Sequence, residues 1–302
     1  MMDSLGGFLL VITAGICWIG VGMVVSKCSA RGWDFNLVQG LNYIGATLVC
    51  SLLLAGSVSW SELGSVFGLG FLMSFLAGIT NFYSFLFTSK AMERGPNGLV
   101  WGIMQSGMIG SFLMGVVIFG EKAAPVRFLG LFLILSGILV MGVSRDSRSS
   151  VRGKNWVLPT LAAFLLVMVT QSVNSLPSYL QKESGFDSLV RTLGLYFGGM
   201  IGFMFTTLPG MIRKRNYGVR GEWIAAIILM VLNVSASLFF FYRGLDLLAK
   251  SGCASLGYPV SIGVCVIGFS VYSLLILKEK FARLSLAGLG AVCLGIIIIS
   301  LQ

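Results

Sequence analysis

Long runs without a single charge, broken by short polar segments, are the dominant pattern of this chain. Five runs cover Ser4–Ser26, Phe35–Ser61, Leu63–Ser89, Gly95–Gly120 and Phe128–Ser144. Five more cover Asn155–Gln181, Thr192–Ile212, Trp223–Tyr242, Ser251–Leu277 and Leu284–Gln302. A helix crosses the hydrocarbon layer in roughly 20 apolar residues, so the pattern predicts an all-α membrane protein with about ten transmembrane helices. Transmembrane strands would instead alternate polar and apolar positions over short segments, and these runs do not alternate. Only Asp3 precedes the first run, with no basic leader and no small-residue cleavage pattern. It therefore reads as a retained span and not a secretory signal.

The longest polar segment, Arg145–Lys154, divides the chain almost in half. Across that division Gly110, Glu121, Lys122, Gly130 and Gly137 recur as Gly268, Glu279, Lys280, Gly288 and Gly295, each offset by 158 residues (121 to 279, for instance). The repeat sets two units, residues 1–147 and 148–302, in one integral membrane domain. Five spans per half is an odd number, so the second half enters the bilayer upside down. Two inverted five-helix repeats are a common construction of secondary transporters, which hold substrate at the repeat interface.

Composition agrees with lipid as the main solvent. Hydrophobic residues make up 56% and charged residues 11%, against roughly 25% charged in soluble domains; mean hydropathy is +0.93. The excess of 21 Lys and Arg over 11 Asp and Glu sits in short clusters between the runs. That distribution provides no track for nucleic acid and fits membrane loops. Loops after odd-numbered spans carry 15 of the 21 basic residues, which places them in the cytoplasm and both termini outside. The six cysteines form no C-x-x-C pair and lie mostly in apolar runs, and histidine is absent. No metal site, cofactor or enzymatic nucleophile–base motif is expected from this inventory.

The segment GEKAAPVRFLGLFLILSGILVMG from Gly120, its echo KEKFARLSLAGLGAVCLGIIIIS from Lys278, the five-plus-five spans and the basic mid-linker together resemble the drug/metabolite transporter superfamily in its ten-helix EamA-like form. The resemblance covers nearly the whole chain. It implies a carrier, with a Glu following the fourth and ninth helices, and cargo among amino acids, sugars, nucleotide sugars, phosphorylated sugars or amphipathic drugs. It also implies cytoplasmic termini, against the loop charges; orientation stays open here. The expected location is a bacterial inner membrane, as monomer or homodimer, with lipids and a small-molecule substrate as partners.

Ionisable residues are absent from the middle of every run, whereas amides and rings are plentiful. Trp18, Asn42, Asn81, Trp101, Gln105, Gln171, Asn174, Tyr196, Asn233 and Tyr258 are the candidate substrate-binding residues. Amides supply donors and acceptors and rings cover apolar faces, which suits a small neutral or zwitterionic metabolite moved by facilitation or exchange. The competing structural role for each amide is to tie helices together, at roughly 0.6 kcal/mol per bond. Glu121, Glu279 and Arg243 are candidate gating or structural charges. Arg243, Asp246 and Lys250 have the spacing to pair along the eighth helix. A lipid or lipid-carrier transporter of the same fold is the alternative, with Arg213, Lys214 and Arg215 as headgroup contacts.

Overall fold

The computed structural model describes residues 2–57, 68–92, 97–122, 124–145, 156–180, 188–215, 217–276 and 283–300. Within the bilayer a backbone has no water to bond, so helices that satisfy their own amides are the stable local structure. The long helices are α1 (Met2–Arg31), α2 (Phe35–Ser57), α3 (Leu69–Met92), α4 (Val100–Ile118) and α5 (Pro125–Arg145). The second half repeats the series as α6 (Val157–Leu180), α7 (Ser188–Thr206), α8 (Arg220–Lys250), α9 (Ala254–Tyr272) and α10 (Arg283–Ser300). Among the described residues, eight of these are long and apolar enough to cross a membrane, while α5 and α10 contain shorter apolar stretches, Pro125–Val140 and Arg283–Ile299. Glu279 and the linker residues 146–155 lie outside the described residues.

Packing runs between the halves. Helix α1 lies against α8 and α9, α2 against α7 and α8, α3 against α6 and α7, α4 against α6, and α5 against α10. Exchanging each helix for its counterpart five places along maps this set of neighbours onto itself.

The repeated glycines sit at the crossings. A Cβ on Gly295 would stand 2.6 Å from the carbonyl oxygen of Gly130, and one on Gly137 would stand 2.6 Å from that of Gly288. Helices α5 and α10 thus cross in an antiparallel sense through reciprocal contacts. Helices α3 and α7 approach as closely but run parallel, with Gly194 against the Phe71 carbonyl, Gly198 against that of Phe75 and Gly78 against that of Leu195. Close approach of backbones substitutes for the hydrophobic driving force that lipid removes.

Three helices depart from regular geometry, α9 through the 3-10 turn Ala254–Leu256 with which it starts. Helix α4 tightens to a 3-10 turn at Ser106–Met108 and widens to a π-helix at Met114–Ile118. Helix α8 has a π-helical segment at Ala236–Phe241. Gly120 and Gly252, both with φ +65°, turn the chain sharply after α4 and α8, a conformation that favours glycine.

Candidate functional site

A cavity of about 160 Å³ lies between the two halves. Its wall includes all ten candidates: Trp18 from α1, Asn42 from α2, Asn81 from α3, Trp101 and Gln105 from α4, Gln171 and Asn174 from α6, Tyr196 from α7, Asn233 from α8 and Tyr258 from α9. Trp101 and Gln105 share one face of α4 through their four-residue spacing. The cavity extends to Phe35 and Gln39 in the first turns of α2 and to Trp101 at the start of α4. These positions belong to the face that carries the loops after spans one and three. Among the described lining residues none is Asp, Glu, Lys or Arg.

Several of the wall's polar atoms are already bonded. Asn81 Nδ2 donates to the Tyr43 hydroxyl at 3.0 Å, and Thr170 shares a 2.7 Å hydrogen bond with Thr80. The hydroxyls of Tyr196 and Ser237 lie 3.4 Å apart. Asn174 is engaged at both ends: Nδ2 donates to Tyr258 Oη at 2.8 Å, and Oδ1 accepts from Tyr242 Oη at 2.9 Å. Phe241 stacks obliquely between Trp18 and Tyr258, with ring centroids 5.1 and 4.6 Å away.

Asn42 and Gln171 stand apart. Asn42 is 1% exposed, and neither its Nδ2 nor its Oδ1 has a partner; Gln171 is 6% exposed with Oε1 unpartnered. Burying a polar group without a hydrogen bond costs about 1–3 kcal/mol, so such groups call for a specific reason.

Beyond Asn174, toward the opposite face, an ion pair closes the space. Arg191 Nη1 lies 2.8 Å from Asp246 Oδ1. Its Nη2 donates to the Asn174 carbonyl at 3.2 Å and to Ser178 Oγ at 3.1 Å, while Ser178 Oγ donates to Asp246 Oδ1 at 2.6 Å. The guanidinium carbon sits 4.1 Å from the centroid of the Tyr242 ring, a cation–π arrangement that arginine's planar group favours. Pro177 lacks the N–H that would bond the Val173 carbonyl and so interrupts the hydrogen-bond ladder of α6 in the turn that carries Asn174.

This network corrects two sequence expectations. Asp246 does not pair with Arg243 and Lys250 along its own helix: it turns to Arg191, and Arg243 is exposed. Arg191, counted with the loop charges, lies inside α7 and is fully buried. Arg191, Ser178 and Tyr242 were not among the candidates. The available signal was an arginine set among Leu189, Val190 and Leu193 at the start of an apolar run.

At the same face, Glu121 accepts hydrogen bonds from the Ser255 backbone N–H at 3.2 and 3.3 Å. A carboxylate there complements the free N–H groups at the start of α9 and joins the end of α4 to the other half. Arg127 donates to the Lys122 carbonyl at 3.0 Å, and Phe119 stacks on Tyr179 with centroids 4.1 Å apart. Among the described residues no group of three or more His, Cys, Asp or Glu is placed to hold a metal ion.

Comparison with known proteins gives the fold and a family likeness for the first half. A solved crystal structure of a protein is similar over 97% of this chain and 95% of its own, with a TM-score of 0.67 and 16% sequence identity; at that identity the likeness concerns the fold. No curated protein matches the sequence. Residues 5–143 match the model of the EamA-like transporter family. That segment, which spans α1 to most of α5, is similar to the EamA-like transporters of the drug/metabolite transporter superfamily, and the apolar helices make the protein an integral multi-pass membrane protein.

Proposed function

We propose that the protein is a secondary carrier of a small neutral or zwitterionic polar metabolite, sugar-like or amino-acid-like, working by alternating access in a bacterial inner membrane. The observation that carries this reading is the cavity between the halves, walled by amides and aromatic rings with no charged side chain among its described lining residues. A fixed charge would be the natural partner of an anionic or cationic cargo; amides and rings suit an uncharged polar one. The two halves, 1–147 and 148–302, act as inverted repeats that rock about the α5–α10 crossing. The reciprocal contacts of Gly130 with Gly295 and Gly137 with Gly288 support that symmetry, since a two-fold axis makes each contact occur twice.

In the present state the cavity reaches the face of the odd-numbered loops, and the Arg191–Asp246 network occupies the other end. Opening that end requires the network to part. A lipid carrier would need basic headgroup contacts around its site, and the lining of this cavity offers none among the described residues.

Reconstitution tests the proposal. Purified protein in liposomes should give saturable uptake of at least one solute from a panel of neutral sugars and amino acids. In a variant whose only tryptophan is Trp101, that solute should protect its fluorescence from an aqueous quencher. Phospholipid scrambling without solute uptake would replace the carrier reading by the lipid one.

A further inference from the structure

We infer that Asn42 and Gln171 are the residues that recognise the cargo, and that they recognise a hydrogen-bond-donating uncharged group, a hydroxyl or a primary amide, in preference to a carboxylate. This deepens the carrier reading and rests on it for the identity of the cavity, but it concerns binding and not movement.

Hydrogen-bond accounting separates the amides of the wall. Asn174 has both side-chain ends and its carbonyl bonded, to Tyr258, Tyr242 and Arg191. Asn81 donates to Tyr43. These bonds tie helices together, and those of Asn174 leave it little to offer a ligand. Asn42, on the same cavity, has no partner at either end, so the result does not depend on which way its amide is turned. Gln171 leaves its carbonyl oxygen free. Buried polar atoms without partners are exceptional in native proteins, and a bound ligand supplies the missing bonds.

The free atoms set the ligand's chemistry. They are two carbonyl oxygens, which accept, and one NH2 group, which donates. A carboxylate only accepts; placed here it answers the Asn42 Nδ2 but faces two more acceptors. A hydroxyl or primary amide both donates and accepts and satisfies the set. Arg191 offers no countercharge for an anion, because Asp246 already neutralises it.

Thermal unfolding of the detergent-solubilised full chain tests this with four matched pairs: D-glucose and D-gluconate, glycerol and D-glycerate, L-glutamine and L-glutamate, nicotinamide and nicotinate. In at least one pair the uncharged member should raise the wild-type unfolding temperature and its carboxylate partner should not. Asn42→Leu should abolish that rise, a weakening of binding by about tenfold or more, while its ligand-free unfolding temperature stays at or above wild type. Asn174→Leu, which breaks bonds that exist, should lower the ligand-free value. Gln171→Met keeps length but loses the free oxygen and should also abolish the rise. The inference is overturned if Asn42→Leu unfolds as early as Asn174→Leu, if both Asn42→Leu and Gln171→Met retain the rise, if the carboxylates bind in preference, or if none of the eight compounds moves the wild type. A wild type that binds glucose without carrying it across a bilayer would refute the carrier and leave this assignment standing.

Discussion

The guanidinium of Arg191 has its charge answered by Asp246, one face covered by Tyr242, and further acceptors supplied by Asn174 and Ser178. Removing one member of a buried ion pair leaves the other charge without compensation and costs about 3–5 kcal/mol, whereas an apolar replacement of both is far milder. Asp246→Ala should therefore lower the thermal stability of the purified protein sharply, and the double variant Arg191→Met with Asp246→Leu should recover most of the loss. Equal losses in the single and double variants would show that the pair does not act as a unit. This pair was hidden in the sequence. Its members lie 55 residues apart, and Arg243 and Lys250 offered Asp246 nearer partners at helical spacing. By contrast, the ten wall residues were legible because uncharged polar groups at membrane depth turn away from lipid. Which of them were already bonded was not: Asn42 and Asn174 are the same residue type, and only three-dimensional neighbours distinguish them.

Helix crossings place the sharpest demands at the level of elements. Helix α10 carries both an obligatory and a free glycine: a Cβ at Gly295 would press within 2.6 Å of the Gly130 carbonyl, while one at Gly290 would meet nothing within 4 Å. Gly295→Val should destabilise by about 1–3 kcal/mol, the usual range for overpacking, and Gly290→Val should be close to neutral. Detergent melting curves of the two variants distinguish these outcomes. The glycine register was readable in the sequence as a repeat, and its antiparallel pairing follows from the fold. The π-helical segment of α8 was not readable, since i→i+5 geometry has no periodic signature. Asn233 and Tyr242 are nine residues apart, half a turn out of phase in a regular helix at about 100° per residue; the extra residue of the wide turn brings both to the cavity wall. Deleting Phe239, which is 49% exposed, takes out that extra residue, so a regular helix should form while Tyr242 and Asp246 keep their phase to Asn233, then eight residues from Tyr242 at about 100° each. The variant should then melt close to wild type and well above Asp246→Ala.

Across the whole molecule, the cavity wall includes a native reporter, Cys265. In a variant retaining only that cysteine, a membrane-impermeant maleimide should label it from the face of the odd-numbered loops. Asp246→Ala in that background weakens the opposite closure and should increase labelling from the other face; unchanged sidedness would mean that the network does not hold the closed end. The pairing of halves has a further consequence, for biogenesis. Most of the major neighbours of α1, α2 and α3 belong to α6–α9, so the first five helices enter the membrane before their partners have been translated. Residues 1–147 expressed alone should be cleared by membrane proteases, and co-expression of 148–302 as a separate chain should rescue them. The connection between the halves is then a means of delivering two mutually dependent polypeptides in equal number.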